Sequence, residues 1–208
     1  MNAINRPVSL GQAAPQVAVV YHSGYGHTQK QAEAVAAGAR SLPGSKVSLI
    51  PVEEVEARAD ELNAADAIIF GTPTYMGGVS AQFKAFMDGT SKTWVAAGWR
   101  NKLAAGFTNS ASQSGDKLNT LVQLAIFAAQ HGMLWVPLGL PGGNNSSKGS
   151  VEDLNRLGSF IGAMAQSNAD EGPDKGPIAS DLRTAEHLGR RVAELAQSFA
   201  STKATVPA

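Results

Sequence analysis

Five short apolar runs, each separated from the next by a longer stretch, constrain this chain more than any other feature. They occupy residues 17–21, 46–51, 67–70, 103–108 and 133–136. Runs so short and so apolar read as strands buried on both faces, and their alternation with helical patterns specifies a parallel sheet covered by helices on each side. Helices are predicted near 28–41, 79–90, 117–130 and 178–199. In the last of these, Leu182, Ala185, Leu188, Val192 and Leu195 recur at three- and four-residue steps and form one apolar face. Residues 160–165, lying between two polar loops, read as a continuation of the fifth strand after an insertion. No internal repeat and no second core is found, so one domain is expected over 17–200, with tails at 1–16 and 201–208.

Composition removes several classes of function. Of the 208 residues, 43% are hydrophobic, enough for a full-sized core. Lys plus Arg and Asp plus Glu number 17 each, so there is no overall field to recruit nucleic acid or an anionic membrane surface. The absence of cysteine rules out disulfides, thiolate chemistry, cysteine-ligated zinc and iron–sulfur clusters. Residues 1–15 lack the apolar run of a signal peptide, no stretch is long enough to span a bilayer, and a cytoplasmic location is expected. Asp88, Glu53 and Glu54 read as ordinary surface groups, and no set of side chains suggests a metal site.

Three loops follow the carboxyl ends of strands, where open α/β sheets bind ligands. After the first strand, Ser23, Gly24, Tyr25, Gly26, His27 and Thr28 form a small hydroxyl-bearing turn that opens a helix. Unpaired N–H groups and the positive end of the helix dipole make this a place to hold a phosphate. The nearest basic side chain is Lys30, already in the helix, so neutral dipoles must do the binding. Gln29 stands where a Rossmann fingerprint needs its third glycine, and the Gly-Lys pair of a Walker loop is missing. After the third strand come Gly71, Thr72, Pro73, Thr74, Tyr75, Met76, Gly77 and Gly78; after the fourth, Asn109, Ser110, Ala111, Ser112, Gln113, Ser114 and Gly115. Glycines and serines after one strand also make plain turns, but three such loops at one end of a sheet suit a flat amphipathic ring with a phosphate tail. FMN is such a ligand.

In these segments, with Gln82 to Asp88 and His131-Gly132-Met133, the sequence resembles the WrbA-type NAD(P)H:quinone oxidoreductases. The resemblance implies a flavodoxin-like three-layer α/β fold: a five-stranded parallel sheet of order 2-1-3-4-5, with an insertion in the fifth strand. It implies FMN as cofactor, NADH or NADPH as donor, a quinone or similar acceptor, and a homodimer or homotetramer. By that resemblance Ser23, Gly24, Tyr25, Gly26, His27 and Thr28 grip the phosphate. Pro73, Thr74, Tyr75, Met76 and Gly77 lie along the flavin, and Asn109, Ser110, Ala111, Ser112, Gln113 and Ser114 also contact it. His131 is expected to approach the ring from a neighbouring subunit as a proton or hydrogen-bond donor. Trp94 is expected beside the substrate, or at a subunit contact, and Tyr25 near the nicotinamide. Two departures stand out: Tyr75-Met76 replaces an Arg-Phe pair, and the third loop is one residue longer. An electron carrier and a redox-responsive binding module are the alternative readings.

Overall fold

The computed structural model describes residues 14–203, with side chains to residue 200. The expectations placed on residues 1–13 and 204–208 lie outside the described residues. In chain order the elements are β1 (Gln16–Tyr21), α1 (His27–Arg40), β2 (Lys46–Pro51), a 3-10 turn (Val52–Glu54), α2 (Ala59–Ala64), β3 (Ala67–Tyr75) and β4 (Gly78–Val79). They continue with α3 (Ala81–Gly89), α4 (Ser91–Val95), β5 (Leu103–Ser110), α5 (Lys117–Gln130), β6 (Leu134–Trp135), β7 (Ala163–Gln166) and α6 (Ala179–Lys203).

The main sheet runs β2-β1-β3-β5-β6, all parallel. Its fifth position is filled twice. β6 pairs with Leu103 and Ala104 at the start of β5, whereas β7 pairs with residues 107–110 at its end. The chain leaves the sheet between them and returns, which is the insertion anticipated from residues 160–165. Trp135 stitches the break by donating its indole N–H to the carbonyl of Ile161 at 2.8 Å.

Strand side chains alternate between two cores. Val17, Val19, Ile69, Ala105 and Phe107 face the layer of α1 and α6, while Ala18, Val20, Ile68, Phe70 and Ala104 face the other. That second core is aromatic, with Phe70 in ring contact with Phe83, Phe86, Trp99 and Phe127. On the first face α1 and α6 press together through two glycines. A Cβ at Gly38 would strike the carbonyl of Glu186, and one at Gly189 the carbonyl of Val35, so neither position admits a side chain.

Local chemistry moves some element boundaries. α3 begins at Ala81 rather than 79, because Gly78 and Val79 pair back antiparallel onto Tyr75 and Thr74. Ser80 then caps the helix, its Oγ accepting the N–H of Phe83 at 3.3 Å. The fifth run shrinks to the two residues of β6, and β1 starts at Gln16. The short helices α2 and α4 lack a repeating apolar face; only Leu62 of α2 is buried.

Candidate functional site

At the carboxyl ends of β1, β3 and β5 lies a cleft of about 510 Å³, within the usual range of small-molecule sites. Its first wall is the turn into the 14-residue helix α1. Ser23 Oγ accepts the backbone N–H groups of Gly26 at 3.1 Å and Gln29 at 3.0 Å, so it caps the helix from outside its own turn. The hydroxyl proton is left to point elsewhere. Gly26 sits at φ +88°, and this left-handed step opens the turn. The backbone N–H groups of Tyr25, His27 and Thr28 have no protein acceptor among the described residues. With the helix dipole behind them they form an anion cradle that uses no side-chain cation.

The second wall is the end of β3. Residues 74–79 fold into a tight hairpin whose two central residues, Met76 and Gly77, both have positive φ, 47° and 80°. That geometry belongs to the primed turn that suits a two-residue hairpin, here with a methionine where asparagine is usual. The thioether of Met76 is fully exposed, and Tyr75 stands beside it, edge-on to Tyr25 with ring centroids 6.4 Å apart. Below the turn, Thr74 Oγ1 lies 2.8 Å from both Thr108 Oγ1 and Thr120 Oγ1. The hairpin is pinned to α5 from outside as well: Asn119 donates to the carbonyl of Gly77 at 2.6 Å, and Gln123 accepts the N–H of Val79 at 3.1 Å.

The third wall combines Asn109, Ser110 and Ala111 with a strap from residues 167–172, which contributes Ser167, Asn168 and Glu171. β7 carries the strap to this place. Ser167 Oγ donates to Asn109 Oδ1 at 3.1 Å, and Gln166 Nε2 donates to the carbonyl of Ala111 at 2.9 Å. Across the cleft His27 Nε2 meets the carbonyl of Glu171 at 2.9 Å, which ties the strap to the first loop.

Ten of the residues expected from sequence therefore line one cleft: Ser23, Tyr25, His27 and Thr28, then Pro73, Thr74 and Tyr75, then Asn109, Ser110 and Ala111. Gly24, Gly26, Met76 and Gly77 shape the turns beside it. Ser112 faces inward through its carbonyl, while Gln113 and Ser114 border a separate hollow formed with Arg156 and Phe160. The strap has no expected counterpart. The return of the chain to the sheet at residues 160–165 is anticipated, but nothing local in the sequence signals that the polar residues just after β7 close over the cleft.

His131 and Trp94 lie elsewhere. Trp94 donates its indole N–H to the carbonyl of Gln130 at 2.9 Å, so the two residues share one region. That region is at the amino end of β5, where Asn101 bonds to Gly132, roughly 23 Å of strand from Ser110. His131 is 6% exposed and stacks against Trp99, ring centroids 4.5 Å apart. The Thr90 hydroxyl donates to the carbonyl of Met87 at 2.7 Å, so His131 Nε2 donates to Thr90 Oγ1 at 2.9 Å. Nδ1 is then bare, with no partner among the described residues. Burial holds the imidazole pKa below its ordinary value, and the neutral ring presents no proton to solvent. His22, whose Nδ1 meets Ser80 Oγ at 2.9 Å behind the cleft, is likewise pushed down by burial, with Glu53 opposing.

The donor set fits FMN in three respects. Free amides at a helix start suit a phosphate, the hairpin offers an aromatic ring, and the third wall offers amides and hydroxyls at the far edge. Two other hollows, of about 650 and 970 Å³, hold none of the first loop.

Comparison with known proteins finds relatives that match most of the chain. A family model described as NADPH-dependent FMN reductase matches residues 44–146. The protein named flavodoxin FldP of Pseudomonas aeruginosa is 43% identical over 87% of this chain and 96% of its own length. A protein of Archaeoglobus fulgidus named NAD(P)H dehydrogenase (quinone) is 35% identical over 88% of this chain and 98% of its own. Among solved structures, a flavodoxin, WrbA-like protein from Agrobacterium tumefaciens superposes with a TM-score of 0.70 at 45% identity, covering 89% of this chain and 99% of that one.

Proposed function

The chain belongs to the WrbA-type family of NAD(P)H:quinone oxidoreductases, flavodoxin-like proteins that use FMN, and from that membership we propose that its 510 Å³ cleft holds FMN and that the protein passes two electrons from NADH or NADPH to a quinone or similar electrophile. The observation that carries the reading is a single cleft in which the free N–H groups of α1 meet the Tyr75 hairpin and the Asn109–Ala111 wall. When bound, FMN supplies the hydride chemistry, which no side chain of this protein needs to perform.

The protein's own residues bind and orient. Amides of Tyr25, His27 and Thr28, with the Ser23 hydroxyl, would hold the phosphate; Thr74, fixed by Thr108 and Thr120, sets the height of the hairpin that carries Tyr75. Tyr75 and Tyr25 provide flat faces against which the ring and a nicotinamide stack. Ser110 and Ala111 offer dipoles to the ring edge that gains negative charge. His131 and Trp94 reach a flavin only where this end of one subunit meets the cleft of another. We therefore place them at a subunit contact, where exposed Trp94 and Val95 supply apolar surface.

The test is direct. Apoprotein mixed with FMN and passed through gel filtration is expected to keep the two visible flavin bands, and anaerobic stopped flow with NADH or NADPH to bleach them within a turnover. A protein that emerges colourless overturns the reading. The name of the 43% identical relative favours a second reading, an electron carrier. Retained FMN that NAD(P)H reduces only slowly supports the carrier, whereas the zero formal net charge argues against docking on a charged partner.

A further inference from the structure

Lys117 is the one lysine with no exposed surface among the described residues, and it stands where a lysine should be disfavoured. It is the first residue of α5, at the positive end of that helix. Its side chain turns inward instead of snorkelling to water. Nζ donates to Ser110 Oγ at 2.7 Å and to the carbonyl of Ser112. The charged groups that face it are Asp181 of α6, which attracts it, and Arg156 of the inserted segment, which repels it. Arg156 and Asp181 already satisfy each other through two bonds of 2.8 and 2.7 Å, and their side chains are buried. The cluster thus keeps one net positive charge, and that charge sits on Lys117.

Burial and Arg156 lower the lysine's pKa, with Asp181 opposing, to about 8, so the ammonium form prevails at neutral pH. An ammonium so disfavoured by its surroundings calls for a compensating role. Its contacts all lead to one place: Ser110 lines the cleft, and Ser112 turns the loop behind it. Gln166, whose N–H bonds to Asp181 at 2.9 Å, reaches the same loop through Ala111.

We infer that Lys117 is a positioning residue that braces the third loop and places a buried positive charge behind the flavin edge, so that the cleft favours the reduced ring over the oxidised one. The inference rests on the reading of the cleft as the FMN site. A hydride from NAD(P)H delivers two electrons and one proton, which leaves the ring with one net negative charge. Lys117, held one side chain away through Ser110, is the only cation with a direct hydrogen bond to a cleft-lining residue among the described residues. No proton or bond is exchanged with it. Its contribution is a fixed charge in a site shielded from water.

The experiment measures the midpoint potential of bound FMN by equilibrium titration with dithionite against a redox dye, in wild type, Lys117→Met and Lys117→Arg. Lys117→Met is expected to lose about tenfold in the preference for reduced over oxidised FMN, about 30 mV for the two-electron couple. Lys117→Arg, which keeps the charge, is expected to stay within threefold of wild type. A loop brace without an electrostatic role weakens both redox forms alike and leaves the potential unmoved, which overturns the inference, as does an arginine variant that behaves like methionine. Reciprocity provides a measurement that needs no variant: in ¹⁵N-lysine-labelled wild type, reducing the flavin must raise the proton affinity of one buried lysine about tenfold. A wild type in which no lysine responds overturns the inference even if both variants fail to fold. Failure of wild type to retain FMN is a different result, and it removes the reading of the cleft itself.

Discussion

Thr74 Oγ1 lies 2.8 Å from Thr120 Oγ1, a bond between a strand end and a helix that share no sequence neighbourhood. With Thr108 it forms a buried trio of hydroxyls beneath the hairpin, on which the height of Tyr75 depends. Thr74→Val keeps the shape but leaves two buried hydroxyls without their shared partner. The expected loss is about 1–3 kcal/mol in urea denaturation, with Thr74→Ser much milder. Weaker FMN retention is expected to accompany it; a valine variant as stable as wild type would show that Thr108 and Thr120 pair with each other unaided.

Gly26 carries a second prediction. Its φ of +88° strains any side chain, and a Cβ there would come within 2.9 Å of Cγ of Pro173, the residue just after the strap. Gly26→Ala must therefore shift the first loop or push the strap away from it, at a cost of about 1–2 kcal/mol. The expected result is a folded protein that binds FMN at least tenfold more weakly by fluorescence titration. Wild-type affinity in the variant would mean that the anion cradle does not depend on this turn.

Two buried histidines make stability depend on pH. The folded-state pKa values of His131 and His22 are both lowered, first by burial, so the unfolded chain binds more protons than the native one on the acid side of neutrality. Their contribution is complete above the unfolded histidine value near pH 6.5 and is lost as pH falls through the lowered folded values. Denaturation free energy is expected to decline between about pH 6.5 and 5, above the carboxylate range. His131→Phe, which joins the ring cluster of Trp99 and Phe127 and removes a bare nitrogen, is expected to flatten that decline and to stay within about 1 kcal/mol of wild type at pH 7. An unchanged slope would assign the pH dependence to other groups. The same variant, assayed for quinone turnover, shows whether His131 matters to the reaction at all.

The parts that were legible in the sequence are those in which neighbours along the chain determine the outcome. The apolar runs of β1 and β3 are buried on both faces, and continuous hydrophobicity states that directly. The anion cradle is equally local, since Ser23 to Thr28 contain the cap, the left-handed glycine and the free amides. What escaped notice depends on distant pairing. The hairpin at Met76-Gly77 lacks the Asn-Gly signal of its turn type, and although residues 160–165 announce a returning strand, the contacts of the strap at 167–172 with His27 and Ala111 join positions far apart in the chain. Lys117 marks only the start of a predicted helix in the sequence, and the fold alone turns its side chain inward. Trp94 and His131 are singled out only through the family resemblance, and their position at the other end of β5 follows from the direction of α5, not from any motif.

The ion pair of Arg156 and Asp181 carries the last prediction. The pair is bidentate and buried, and Asp181 Oδ2 also accepts the N–H of Gln166, so one carboxylate joins the inserted segment, β7 and α6. Buried pairs add little over well-packed apolar groups, but breaking one leaves a charge without compensation. Asp181→Asn strands two cations, Arg156 and Lys117, and is expected to cost about 3–5 kcal/mol. For a chain of this size that is roughly 6–20 °C in Tm. Arg156→Met leaves Asp181 with Lys117 as its counterion and is expected to cost clearly less. The double change Arg156→Met with Asp181→Leu leaves the net charge of the cluster at one positive, as in wild type, and should therefore recover part of the Asp181→Asn loss. If the double variant were instead the least stable of the three, Asp181 would act mainly through its bond to Gln166 and not through its charge.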